Sequence, residues 1–362
     1  MKFSIACGGT GGHLFPGLAV AEVLRAQGHS VLLFVSEKEV DRRALSAYPD
    51  LPTEKLPSIG LPSIFSLAIF SFLKKMRASL KRCGKIYDSD RPDAVLGMGG
   101  FTSIAPLIAA RRRGIPAFLH ESNAIPGKAN RLAAKFCGTV LLGFTDCAQY
   151  FPSGKTRLTG TPIRRELSDG RTSPGEARRQ LGLSEDCATL LVMGGSQGAS
   201  GINSLMRQAA PHLEKDTLQI LHLAGERDVE SLRLAYEAAG LVALVLPFSD
   251  RMQDLYPAAD LALSRSGAAS LGELSWYGLP SILIPYPHAA EDHQRLNAEI
   301  FVRAGAALLL AEKDAGGSAL ADQLGTLLAN RNVLHAMSTA ARDLAPQNAA
   351  ERVAAVLTGE EK

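Results

Sequence analysis

The sequence predicts an α/β protein made of two doubly wound, Rossmann-like domains facing a cleft. Three observations carry that expectation. First, an apolar run, a glycine-rich turn and a helical pattern follow one another at Phe3–Cys7 and Gly8-Gly9-Thr10-Gly11-Gly12-His13. The same succession returns at Thr189–Met193 and Gly194-Gly195-Ser196-Gln197-Gly198. Second, these apolar runs are continuous rather than alternating, as in parallel strands buried on both faces. Third, a chain of 362 residues, 46% hydrophobic and 21% charged, is globular and long enough for two cores.

In chain order, Phe3–Cys7 reads as a strand, Pro16–Gln27 as a helix closed by Gly28, and Val31–Val35 as the next strand. The turn at Gly8–His13 lacks the G-x-x-x-x-G-K of a P-loop and fits no G-x-G-x-x-G register. It remains a glycine-rich anion cradle. Asp93–Leu96, the turn Gly97-Met98-Gly99-Gly100, a helix to Arg111-Arg112-Arg113-Gly114, the strand Ile115–Leu119 and then His120-Glu121-Ser122-Asn123 repeat the unit. Phe151–Gly154 and Thr159–Pro162 are rich in turn formers and read as the linker, so domains are expected over 1–160 and 161–345. A helix from Ser200 to Leu213 and strands at Leu241–Leu246 and Ser281–Pro285 belong to the second. Ala345-Pro346 breaks the chain before a last helix, Asn348–Leu357, which is expected to return residues 346–362 to the first domain.

Composition narrows the function. Cys7, Cys83, Cys137, Cys147 and Cys187 form no C-x-x-C pair and no zinc spacing with histidine, so free thiols in a reducing compartment and no metal are expected. No signal-peptide pattern opens the chain. The longest apolar stretch, Leu61–Leu73, is well short of the roughly 20 residues that span a bilayer, which points to the cytoplasm. Residues 1–160 carry 21 basic and 11 acidic side chains, the remainder 18 and 25, within a net charge of +3. The basic half suits an anionic surface, and its basic residues are not interleaved with aromatics in a nucleic-acid motif. Between Leu61 and Arg82, apolar Leu61, Ile64, Phe65, Leu67, Ala68, Ile69, Phe70, Phe72, Leu73 and Met76 run into Lys74, Lys75, Arg77, Lys81 and Arg82. Arg111–Arg113 forms a second basic cluster. Two readings fit: a face that binds an anionic membrane, or a buried crossover helix with a solvated basic end.

The stretch from Ser264 to Asn297 is the most informative. In Ser264-Arg265-Ser266-Gly267-Ala268-Ala269-Ser270-Leu271-Gly272-Glu273, small residues let the backbone approach a ligand where a helix begins, so its amides and dipole face an anion. Glu273 is placed to accept hydrogen bonds from a ribose, and Gln294, in Asp292-His293-Gln294, offers a donor and an acceptor to sugar hydroxyls.

Six motifs stand in the order of one family: Gly8–His13 with Pro16-Gly17; Gly97–Gly100; His120-Glu121 with Asn123; Thr161-Pro162 with Arg164; Gly194–Gly198; and Ser264–Asn297. Over nearly its whole length the chain resembles the GT-B glycosyltransferases of family 28, the lipid II-forming N-acetylglucosaminyltransferases of peptidoglycan synthesis. The resemblance implies inverting transfer of N-acetylglucosamine from UDP-N-acetylglucosamine to the 4-hydroxyl of lipid I, without metal or other cofactor. It places the donor on Thr10, Gly11, Gly12, Asn123, Arg164, Ser196, Phe248, Ser249, Arg265, Ala268, Ala269, Ser270, Leu271, Gly272, Glu273 and Gln294. His13 is the first candidate for the base, with phosphate binding as its other reading, and Glu121 competes with it. Phe248 reads either as a contact to the uracil ring or as core packing. Where relatives often carry tyrosine this chain has Phe101, so no role for that hydroxyl carries over. The implied partners are lipid I, the cytoplasmic face of the inner membrane as a peripheral surface, and proteins of cell-wall synthesis and division. Two rivals remain: another GT-B sugar-nucleotide enzyme, such as a glycolipid synthase or an epimerase, and a non-catalytic nucleotide-sugar-binding subunit.

Overall fold

The computed structural model describes residues 1–57, 68–168, 172–195, 198–344 and 348–360. The chain forms two compact units, Met1–Arg165 with Pro346–Lys362, and Glu166–Ala345.

In the first unit, β1 (Lys2–Ala6), β2 (Ser30–Ser36), β3 (Thr53–Leu56), β4 (Ala94–Gly97), β5 (Ala117–Glu121), β6 (Thr139–Leu142) and β7 (Thr156–Leu158) make one sheet in the order β3-β2-β1-β4-β5-β6-β7. Every pair is parallel, so the crossovers cover its faces with α1 (Gly11–Ala26), α2 (Glu39–Leu45), α3 (Ala68–Ser89), α4 (Gly100–Arg111) and α5 (Lys128–Ala133). One face packs Leu119, Val140 and Leu142 on Leu107 and Tyr87. The other packs Ile5 and Leu33 on Leu14 and Leu18 of α1.

In the second unit, after α6 (Arg165–Ser168) and α7 (Pro174–Gln180), come β8 (Ala188–Met193), α8 (Ser200–Ala209), β9 (Leu218–Leu223), α9 (Val229–Ala238), β10 (Val242–Leu246), α10 (Met252–Ala258), β11 (Leu261–Ser264), α11 (Ala268–Tyr277), β12 (Ser281–Leu283), α12 (His293–Arg303), β13 (Ala307–Leu309), α13 (Gly317–Ala329) and α14 (Arg331–Leu344). The sheet runs β10-β9-β8-β11-β12-β13, again all parallel. A final helix, α15 (Ala349–Thr358), buries Val353, Ala354 and Leu357 in the first unit's core beside α1. The break expected at Ala345-Pro346 lies outside the described residues.

Two expectations need correction. The segment read as a linker holds β7, which pairs with β6 through Val140↔Thr156 and Leu142↔Leu158. Three residues between turn formers carry no periodicity, so only the neighbouring strand makes a strand of them. The first helix starts at Gly11 rather than Pro16, because the amides of His13 and Leu14 already donate to the Thr10 carbonyl, at 3.1 and 3.0 Å. Gly11, Gly12 and His13 are thus its first turn, and Pro16, inside that helix, has no N–H to give the Gly12 carbonyl four residues back.

No helix among the described residues is long and apolar enough to cross a membrane. In both units the strand order reverses beside the first strand, between β1 and β4 and between β8 and β11. At such a switch point the following loops diverge and leave a crevice at the carboxyl ends of the strands.

Candidate functional site

At the first unit's switch point, β1 and β4 end together, Ala6 paired with Gly97, and each runs into glycines. Gly8 sits where a Cβ would meet the Ser36 amide nitrogen at 2.2 Å. Gly9, at φ +111°, donates its N–H to Asp41, with 2.9 Å to Oδ2. Asp41 is fully buried and also accepts from the Ser36 amide and hydroxyl, at 2.8 and 2.6 Å. It is the fixed anchor of the turn. Nothing in its sequence context, the first turn of a short helix, signals that role.

His13 lies across this crevice against the second glycine turn. A Cβ on Gly99 (φ +110°) would stand 2.9 Å from His13 Cε1, and one on Gly100 (φ +68°) 3.4 Å from Nε2. Those positive φ angles and that close approach are why both positions are glycine. Gly100 N–H donates to Asn130 Oδ1 at 3.1 Å, and Asn130 Nδ2 donates to Glu121 Oε2 at 2.7 Å. Glu121 Oε1 accepts from the backbone and side-chain nitrogens of Asn123, both at 2.9 Å. Glu121 is 1% exposed. Burial raises its pKa against the pull of those hydrogen bonds. Oε2 thus ties β5 to α5 through Asn130, while Oε1 holds Asn123 in the loop after β5. His120 beside it donates from Nε2 to the Gly160 carbonyl at 2.8 Å, and burial lowers its pKa to about 4. Thr10 is exposed in extended backbone at the start of α1. Arg164 belongs to this first unit, its guanidinium 4.6 Å over the Phe15 ring.

At the second unit's switch point, Met193 of β8 pairs with Ser264 of β11. Past β8, Gly195 (φ +92°) and Gly198 (φ +74°) shape the turn into α8. A Cβ on Gly198 would meet the Ala224 carbonyl oxygen at 2.4 Å. Ser196 and Gln197 lie outside the described residues. Past β11, Gly267 precedes α11 in extended backbone, so the amides of Ala268, Ala269 and Ser270 open a ten-residue helix. Ala269, Ser270, Gly272 and Glu273 are half-buried on its accessible side, whereas Leu271 and Leu274 are fully buried in the core. Leu271 therefore presents no side chain to a ligand. Glu273 accepts a hydrogen bond from Tyr256 Oη at 2.6 Å.

Arg265 is engaged within the fold. It is 7% exposed, Nη1 donates to the Ile284 and Pro285 carbonyls at 3.0 and 3.1 Å, and Nη2 pairs with Glu312 at 2.6 Å. A guanidinium so engaged staples β11 to the exit of β12. Ser266 Oγ donates to the Gln294 carbonyl at 2.8 Å, and Asn297 Nδ2 to the Ser266 carbonyl at 3.1 Å, which fastens the start of α12 to that of α11. Gln294 Oε1 accepts from the Tyr286 amide at 2.9 Å; its Nε2 remains for a ligand, no acceptor for it standing among the described residues. Glu291 and Asp292, at φ 54° and 55°, hold left-handed backbone just before α12, a strain found where a loop is shaped for a function. Phe248 follows β10 and is 39% exposed. Ser249 Oγ accepts from the Arg251 amide at 3.1 Å.

Helix amides at a crevice, a half-buried carboxylate one turn further and a carboxamide across from it suit a ligand that bears both phosphate and hydroxyls. The chain matches the glycosyltransferase family 28 N-terminal domain over residues 3–142 and the C-terminal domain of the same family over residues 189–353. It is 41% identical to a UDP-N-acetylglucosamine–N-acetylmuramyl-(pentapeptide) pyrophosphoryl-undecaprenol N-acetylglucosamine transferase of Geobacter sulfurreducens, over 98% of this chain and 97% of that one. The fold is similar to a crystal structure of Acinetobacter baumannii MurG, at TM-score 0.78 and 29% identity over 99% of both chains. A putative UDP-N-acetylglucosamine 2-epimerase of Listeria monocytogenes matches at TM-score 0.73 and 14% identity over 99% and 96%, a likeness of fold alone.

Proposed function

We propose the reaction from one premise: the chain belongs to glycosyltransferase family 28. It is a hexosyltransferase of peptidoglycan synthesis, taking N-acetylglucosamine from UDP-N-acetylglucosamine to undecaprenyl-diphospho-N-acetylmuramoyl-pentapeptide, the reaction that its full-length relative at 41% identity is named for. The products are lipid II and UDP. The observation that carries the site assignment is the α11 start at the β8/β11 switch point, with free-ended amides followed by Glu273 and faced by Gln294.

Transfer to the muramoyl 4-hydroxyl with inversion is one displacement. A base takes the hydroxyl proton as oxygen attacks the anomeric carbon, and the UDP oxygen leaves with the bonding electrons. The amides of Ala268–Ser270 and the glycine turn after β8 stabilise the negative charge that develops on the leaving diphosphate. Glu273 holds the ribose, Gln294 Nε2 a sugar hydroxyl, and Phe248 with the backbone at Ser249 the uracil. Arg265 acts here as the staple of the seat. His13 is the base. Its ring lies over Gly99–Gly100 in the first turn of a helix, while Glu121, with both oxygens engaged, holds Asn123 of the loop after β5 and Asn130 of α5.

The acceptor's lipid places the reaction at a membrane surface, and α3 supports peripheral binding. Phe70 and Leu73 are 69% and 55% exposed beside exposed Lys74, Lys75, Arg77 and Lys81. Each such basic residue gains about 1 kcal/mol near anionic headgroups. Arg113 is not part of that face, because it pairs bidentately with Asp88 at 2.7 Å. The Leu61–Leu67 part of the stretch lies outside the described residues.

The purified protein alone, in chelator, is expected to move labelled N-acetylglucosamine from its UDP donor to a lipid I analogue. UDP release without acceptor would point to an epimerase, and transfer only with a second polypeptide to a binding subunit.

A further inference from the structure

Glu273 is held from a neighbouring helix. Tyr256, the buried aromatic of α10, donates from Oη to Glu273 Oε2 at 2.6 Å, and the same hydroxyl lies 3.6 Å from Met193 Sδ, the last residue of β8. Its ring, 2% exposed, stacks on Tyr277 with centroids 5.0 Å apart and planes 23° apart. Tyr277 Oη in turn donates to the Leu167 carbonyl at 2.9 Å, and Trp276 Nε1 to the same oxygen at 3.1 Å. A flexible carboxylate on a half-buried helix face is thus fixed by a phenol that has no freedom of its own. One hydroxyl meets both walls of the switch-point crevice, the end of β8 and α11.

We propose that Tyr256 is a positioning residue for donor recognition: by holding Oε2 of Glu273 it aims Oε1 at a ribose hydroxyl of the UDP moiety. The proposal rests on the reading that Glu273 accepts from the ribose. A phenol-to-carboxylate hydrogen bond is charge-assisted and directional. Without it the carboxylate samples several rotamers, and part of the ribose contact is lost while the diphosphate seat is untouched.

The test measures binding of UDP, 2′-deoxy-UDP and 3′-deoxy-UDP to the full-length protein and to its Tyr256→Phe, Glu273→Ala and double variants. The wild type should prefer UDP to at least one deoxy analogue, and Glu273→Ala should abolish that preference. Tyr256→Phe should reduce it about fivefold, within what one hydrogen bond to a charged group confers, with affinity for the disfavoured deoxy analogue unchanged. In turnover, the KM for UDP-N-acetylglucosamine should rise while the acceptor KM and kcat stay within about twofold. In the Glu273→Ala background, Tyr256→Phe should have no further effect. Equal weakening of UDP and the deoxy analogues, or an undiminished Tyr256→Phe effect in that background, makes Tyr256 a core ring only and overturns the proposal. A wild type indifferent to the deoxy analogues, or Glu273→Ala that keeps the preference, instead overturns the ribose reading of Glu273. Should Tyr256→Phe fold poorly, Tyr277→Phe, which keeps the stack and loosens its anchor at Leu167, should shift the same preference in the same direction.

Discussion

His13 and Glu121 are rival candidates for the base, and their surroundings differ. His13 stands on the half-buried first turn of α1, against a backbone stripped of side chains at Gly99 and Gly100. Glu121 accepts three hydrogen bonds from Asn123 and Asn130 and is 1% exposed. A base must reach the proton that it takes, so His13→Ala is expected to lower kcat by about 100-fold or more, the usual contribution of general base catalysis, with KM for the donor within about threefold. A change confined to KM in steady-state kinetics would return His13 to phosphate binding. The glycines around His13 could be read in the sequence because each is a local requirement of the backbone. Asp41 and Asn130 could not, since their partners, Gly9 and Glu121, are 32 and 9 residues away and come within reach only through the fold.

Strands and helices were legible wherever burial is continuous or strongly periodic. Elements made by their neighbours were not: β7 is three residues long and exists through β6. For α3 the sequence left open a membrane face or a buried crossover, and the structure buries one part of the helix and exposes the other. Ser79, Cys83 and Tyr87 are buried, while Phe70 and Leu73 near its start stand in solvent. Burying two such side chains in lipid is worth about 1.5–3 kcal/mol each. Phe70→Ser with Leu73→Ser should therefore reduce sedimentation with anionic vesicles at least tenfold, while transfer to a short-chain, detergent-soluble acceptor stays within about twofold. Vesicle binding equal to wild type would assign the patch to another use.

At the scale of the molecule, acid should loosen the fold through its buried histidines. Burial lowers His120 to about 4 and His222 to about 3 from an ordinary 6.5, and each lies in one of the two cores. The unfolded chain therefore takes up protons first as pH falls. The contribution of each is fully present above about pH 6.5 and is lost on the way to about 4, on the order of 2 kcal/mol per histidine by pH 5. Glu121, raised by burial, has the opposite slope and offsets part of this. Urea unfolding should show a midpoint that drops from pH 7 to pH 5, and His120→Gln with His222→Gln should flatten that slope; an unchanged slope in the double variant would place the acid sensitivity elsewhere.

The doubling of a strand–glycine–helix unit, the parallel sheets implied by unbroken apolar runs and the family motifs are all legible in the chain, because each is written in residues close together along it. Which polar groups are buried and paired follows instead from how the elements pack. Arg265 and Glu121 are paired through partners distant in sequence, Glu312 and the Ile284 carbonyl for the first and Asn130 for the second, and Phe248 stays 39% exposed. Burial and pairing are properties of a packed neighbourhood, and no window of residues along the chain contains that neighbourhood.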